Sequence, residues 1–161
     1  MILKITQLDK NILEIMQKDA TISILDIADM LGSSKSVCWR RIQRMTEKGV
    51  IKEKVTLLDA ESLGLRVVVF ANVKLTSHGR KNLANFMTRI KQYPEVVECY
   101  TMMGGIDFLL KIVVRNVKEF EDFYWHQLSQ IDGVQETSSH IAMTEVKLTT
   151  QLPLHNCETA D

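Results

Sequence analysis

The spacing of apolar residues changes period part-way along the chain, and that change restricts the fold more than any other feature. Up to residue 48 the apolar side chains recur at helical intervals. From residue 66 two-residue alternation and helical spacing take turns, in the order strand, helix, strand, strand, helix, strand. Residues 66–76 predict a strand with Val67, Val69, Ala71, Val73 and Leu75 on one face and Val68 and Phe70 on the other. A helix is expected over 79–92, with Leu83, Phe86, Met87 and Ile90 on its buried stripe and Tyr93-Pro94 closing it. Strands over 96–103 and 108–114 are joined across Gly104-Gly105-Ile106-Asp107. A second helix over 117–131 repeats the apolar stripe, and Asp132-Gly133 turns into a last strand region at 137–149. This order predicts a ferredoxin-like βαββαβ domain. Its helices cover one sheet face only, so Val68 and Phe70 on the bare face predict a second subunit as the cover.

The first 55 residues read as three short helices. Leu8, Ile12, Leu13, Ile15 and Met16 mark the first, with Asp9 placed where a negative charge suits the helix dipole. Ser23, with Asp26 three residues on, caps the second, which buries Ile24, Ile27, Ala28 and Leu31 and stops at Gly32. Ser33 or Ser34 caps the third, which runs to about residue 48 before Gly49; residues 50–56 look extended.

Composition narrows the function classes. At 161 residues the chain holds one ordinary domain or two small ones, which excludes a large multidomain enzyme. No apolar run approaches the roughly 20 residues that span a bilayer, and no basic segment followed by an apolar stretch opens the chain, so no signal peptide is expected. Cys38, Cys99 and Cys157 form no CxxC pair, which argues against a disulfide framework or structural zinc and for a reducing cytoplasm. Of the histidines, His78, His126, His140 and His155, none is paired at metal-ligand spacing, and no catalytic triad, P-loop or Rossmann glycine pattern occurs. No cofactor is expected. The formal net charge is zero, yet seven basic residues crowd into 34–54 against Glu47 and Glu53 alone. Such asymmetry fits a nucleic-acid-facing segment, as it also fits a solvated basic helix.

The third helix separates the two readings. At about 100° per residue, Cys38, Ile42 and Met45 share one side and Ser36, Arg40, Gln43 and Arg44 the other. The outer groups are hydroxyl, guanidinium and amide, the types that reach base edges and phosphates in a major groove. Ser34 and Lys35 lie at the helix start, near the backbone of an entering duplex, and Trp39 flanks the outer face. The Gly104-Gly105 turn suits an anion nest for a carboxylate. Asp107 is placed to receive an ammonium, Met102 and Met103 to line an adaptable apolar pocket, and Thr137, Ser138 and Ser139 to add hydroxyls from the same or a neighbouring subunit. The competing reading is a plain hairpin with Asp107 capping it and both methionines in the core.

Leu8-Asp9…Ile12-Leu13, Ile27-Ala28…Leu31-Gly32, the Ser34–Ile42 stretch, Gly49-Val50-Ile51, Gly104-Gly105-Ile106-Asp107-Phe108 and Val146–Thr150…Leu152-Pro153-Leu154 together resemble the leucine-responsive/asparagine-type (Lrp/AsnC, feast/famine) transcription regulators, over roughly residues 5–154. The resemblance implies an α+β chain: a winged helix–turn–helix DNA-binding domain at 1–54, a hinge at 55–65, a ferredoxin-like ligand-binding and oligomerisation domain (RAM-type) at 66–154, and a tail at 155–161. It implies dimers assembling into higher oligomers, often octamers, that bind pseudo-palindromic double-stranded promoter DNA and answer to a free amino acid bound at the glycine turn. The methionines favour leucine or methionine. Where the family often carries a glycine–tyrosine pair in the wing, this chain has Lys52-Glu53-Lys54. Two other readings use the same layout: a sirohaem-decarboxylase-like enzyme, and a ligand-sensing assembly domain without DNA binding. The first would require histidines or arginines gathered around a porphyrin pocket and no basic outer face on the third helix.

Overall fold

The computed structural model describes residues 4–76 and 79–157, apart from the side chains of 79–82. His78 and the outermost residues of the expected terminal ranges, 1–3 and 158–161, lie outside the described residues. The chain divides into two compact units.

The first unit holds α1 (Gln7–Met16), α2 (Ile24–Met30) and α3 (Lys35–Glu47). Each helix begins where a side-chain oxygen accepts one of the N–H groups the helix leaves unpaired: Thr6 from Asp9, Ser23 from Asp26, and Ser34, rather than Ser33, from Val37. Gly32, at φ +60, makes the turn between α2 and α3. The three helices close on Ile12, Met16, Ile27, Ala28, Cys38, Ile42 and Met45.

One expectation changes here. Residues 50–56 form no strand: Val50 and Ile51 both donate to Met45 O (2.9 and 3.2 Å), so their amides finish α3, and residues 52–59 carry no regular structure. The closing stretch from Lys147 onward packs with the helices of the first unit. The Gln17 side-chain amide grips it, donating to Leu152 O at 3.1 Å and accepting from Leu152 N at 2.9 Å.

The second unit holds β1 (Val67–Leu75), α4 (Gly79–Ile90), β2 (Val96–Thr101), β3 (Phe108–Val114), α5 (Val117–His126) and β4 (Val134–Ile141). The strands pair in the order β2-β3-β1-β4, all antiparallel, which is the ferredoxin-like sheet. Val69, Ala71 and Val73 of β1 and Phe108, Leu110, Ile112 and Val114 of β3 are buried with Phe86, Ile90, Phe123, Leu128 and Ile131. Phe70 and Tyr100 are exposed, on the other sheet face. The helix stripes are narrower than expected. Leu83 and Met87 are 38% and 40% exposed, and α5 stops at His126, with a separate 3-10 turn at Leu128–Gln130 carrying Leu128 inward. The last strand ends at Ile141 rather than 149; beyond it Met143, Val146 and Leu148 are exposed.

Candidate nucleic-acid interface and effector turn

Among the expected DNA-facing residues, Lys35, Ser36, Trp39, Arg40 and Gln43 are exposed on α3, while Cys38, Ile42 and Met45 are buried beneath them. Arg40 and Gln43 have no side-chain partner among the described residues, so both are available to a duplex. Ser34 is also exposed, but its oxygen caps α3 and lies 3.1 Å from that of Ser36.

Arg44 carries a second role. Its Nη2 lies 2.7 Å from Asp9 Oδ2, and Arg41 Nη1 lies 3.0 Å from Asp9 Oδ1. Asp9 is completely buried. Its Oδ2 accepts from the Thr6 amide and hydroxyl, both at 2.9 Å, as the acid of a capping box. Burial pushes the Asp9 carboxyl up, but the Thr6 amide and the Arg41 guanidinium outweigh it and hold the group below its ordinary value of 3.8. Arg44 therefore also stabilises α1 against α3, from the flank of the groove face. Thr6, Asp9 and Arg41 were absent from the expected interface. The Thr6…Asp9 capping spacing is visible in the sequence; its pairing with residues 32 and 35 positions away is not.

The turn between β2 and β3 is tied to the end of β1. Asp107 N donates to Val73 O (2.9 Å), Met102 N donates to Asp107 O (2.9 Å), and Asp107 Oδ2 accepts from Leu75 N (2.7 Å). The Leu75 amide faces the β3 side and is free for this because the β1–β3 ladder ends at Val73↔Phe108. Gly104 alone of the glycine pair has a positive φ, +124. The amides of Gly104 and Gly105 donate to no group among the described residues, which leaves them for a ligand. Met102 is 40% exposed and Met103 fully so, so neither sits in the core as the plain-hairpin reading requires.

The last-strand hydroxyls divide between the two sheet faces. Thr137 and Ser139 pair with Val73 and Ala71, whereas Ser138 pairs with Asn72. Strand alternation therefore sends Ser138 to the opposite sheet face, where its Oγ lies 3.3 Å from His140 Nε2. Thr137 is level with Phe108, across β1, and its Oγ1 is buried without a partner.

Among the described residues, no group of three His, Cys, Asp or Glu side chains is placed to hold a metal ion. Among them, too, no helix is long and apolar enough to cross a membrane.

Comparison with known proteins agrees with this geometry. The family model described as "Winged helix-turn-helix DNA-binding" matches residues 5–52, and that described as "Lrp/AsnC ligand binding domain" matches residues 68–152. The chain is 37% identical over 161 residues to the glutamate uptake regulatory protein of Zymomonas mobilis, covering 100% of this chain and 96% of that one. Among solved structures, an AsnC family transcriptional regulator from Agrobacterium tumefaciens superposes with a TM-score of 0.89 at 40% identity, over 94% of this chain and 98% of the other. A transcriptional regulator from Neisseria meningitidis, in complex with L-methionine, gives 0.90 at 26% identity, over 94% and 97%. With a helix–turn–helix unit, a ferredoxin-like ligand-binding unit and relatives that are named regulators, the chain belongs to the Lrp/AsnC family of DNA-binding transcription regulators.

Proposed function

We propose that this regulator binds pseudo-palindromic promoter DNA in the cytoplasm as an oligomer and responds to an uncharged, apolar amino acid, leucine or methionine, held at the Gly104–Asp107 turn. The observation that carries the effector reading is the pairing of two unpartnered glycine amides with a carboxylate on one short turn beside the exposed Met102 and Met103. The amides meet the α-carboxylate, Asp107 meets the ammonium, and the thioethers meet the side chain. The L-methionine complex of the Neisseria meningitidis relative supports the choice of ligand class. Thr137 remains a candidate contributor, while Ser138 belongs to the other sheet face.

Asp107→Asn tests the site, because an amide oxygen still accepts from Leu75 while the charge is gone. The expected result in calorimetry is a loss of methionine or leucine affinity of about tenfold or more, the scale of a hydrogen bond to a charged group, with DNA affinity in the absence of effector retained. Binding equal to wild type would place the site elsewhere. A thermal-shift screen of the twenty amino acids identifies the effector, since a ligand of the folded form raises the melting point.

Dimerisation through the open sheet face follows from exposed Phe70 and Tyr100. Phe70→Asp is expected to yield monomers in analytical ultracentrifugation; an unchanged oligomer would assign assembly to another surface. A two-fold dimer presents two copies of α3 to successive major grooves, which is why a two-fold operator is expected.

A further inference from the structure

Asp9 spans two arginines without exhausting either. It takes Nη1 of Arg41 on one oxygen and Nη2 of Arg44 on the other. Arg41 Nη1 also donates to the Thr6 hydroxyl at 2.9 Å. The Nε groups of Arg41 and Arg44 are both buried and meet no acceptor among the described residues. The donors left for a ligand are the other terminal nitrogens, Arg41 Nη2 and Arg44 Nη1, which make no hydrogen bond among the described residues.

A cleft of about 230 Å³ is lined by Thr6, Arg40, Arg41 and Arg44. That is several times the roughly 30 Å³ share of a liquid water. Three guanidinium groups stand here against one carboxylate, so the cleft stays positive after a monoanion enters. Guanidinium edges match paired anionic oxygens, and a phosphodiester offers two such oxygens. Arg40, on the rim, also belongs to the exposed row of Ser36, Arg40 and Gln43. The cleft therefore lies along the edge of the groove-facing surface, where a duplex backbone runs.

We propose that the cleft bounded by Thr6, Arg40, Arg41 and Arg44 seats one backbone phosphate of the bound duplex, with Asp9 as the positioning residue that spreads the arginines. This rests on the regulator reading and names the phosphate contact within it. A small free phosphorylated molecule shares the chemistry, but the row shared with Ser36 and Gln43 favours the duplex.

The test uses a duplex selected from random sequence by the wild-type chain, with single methylphosphonate linkages introduced one at a time. Arg41→Lys and Arg44→Lys keep a positive charge beside Asp9 but lose the guanidinium fork and its second terminal donor. At one linkage per half-site, neutralisation is expected to cost wild type about tenfold in affinity. The lysine variants are expected to bind the unmodified duplex more weakly and to lose less than about threefold at that linkage. If one variant does not melt as a folded protein, the other carries the comparison. Wild-type penalties at every linkage in the folded variants would overturn the proposal. So would inorganic phosphate raising the wild-type melting point while no linkage distinguishes wild type from variants, which would assign the cleft to a free phosphorylated ligand. Failure of the wild-type chain to select any duplex would overturn the regulator reading itself, and this proposal with it.

Discussion

Replacing Arg40 and Gln43 together by alanine is expected to weaken binding to a selected duplex by about 100-fold, with no change in melting temperature. Each side chain is exposed on α3 and free of other described residues, and a lost base contact costs about 1–3 kcal/mol. Two contacts near the low end of that range reach the stated factor. Nothing among the described residues depends on either group, so stability is untouched. Arg44→Ala is the contrasting control. It removes the 2.7 Å partner of a buried carboxylate, and is expected to lower the melting temperature as well as the affinity. Fluorescence anisotropy with labelled duplex and circular-dichroism melts measure both quantities. If the Arg40/Gln43 double variant binds as wild type does, α3 does not read the groove.

Asp9→Asn is expected to destabilise the helix–turn–helix unit by about 3 kcal/mol, the scale for removing one partner of a buried ion pair. The carboxylate accepts from the Thr6 amide and hydroxyl and pairs with Arg41 and Arg44. Asparagine keeps one acceptor and turns an N–H₂ toward a guanidinium. The dependence on pH has a definite sign. The folded carboxyl titrates below 3.8, so its contribution is complete above that value and fades as the pH falls through the lowered folded value. Wild type should therefore lose this increment only in acid, whereas the asparagine variant lacks it at every pH. Denaturant melts followed by Trp39 fluorescence in a Trp125→Phe background report on this unit alone. Equal stability of wild type and the asparagine variant at neutral pH would show that the ion-paired cluster contributes nothing net.

The α3 faces were legible because one helix sets them: Cys38, Ile42 and Met45 repeat at three- and four-residue steps, and burial follows. The βαββαβ order was legible for the same reason, since the period of the apolar pattern distinguishes strand from helix over each short window. The division of Thr137 and Ser139 from Ser138 was equally local, since neighbours on a strand point to opposite faces. The strand expected at 50–56 erred because extended-looking residues form a strand only with a pairing partner, and the Val50 and Ile51 amides turn back to Met45.

From sequence alone came the order of the elements, the caps of α2 and α3, the buried stripe of α3 and its basic row, all governed by residues within a few positions of one another. Only the folded structure decided that Asp9 holds Arg41 and Arg44, that Asp107 fastens its turn to β1, and that the closing stretch returns to Gln17. These contacts join residues 32 to 135 positions apart. Their partners are chosen by where packed elements bring a charge or an unpaired amide, which no local pattern encodes.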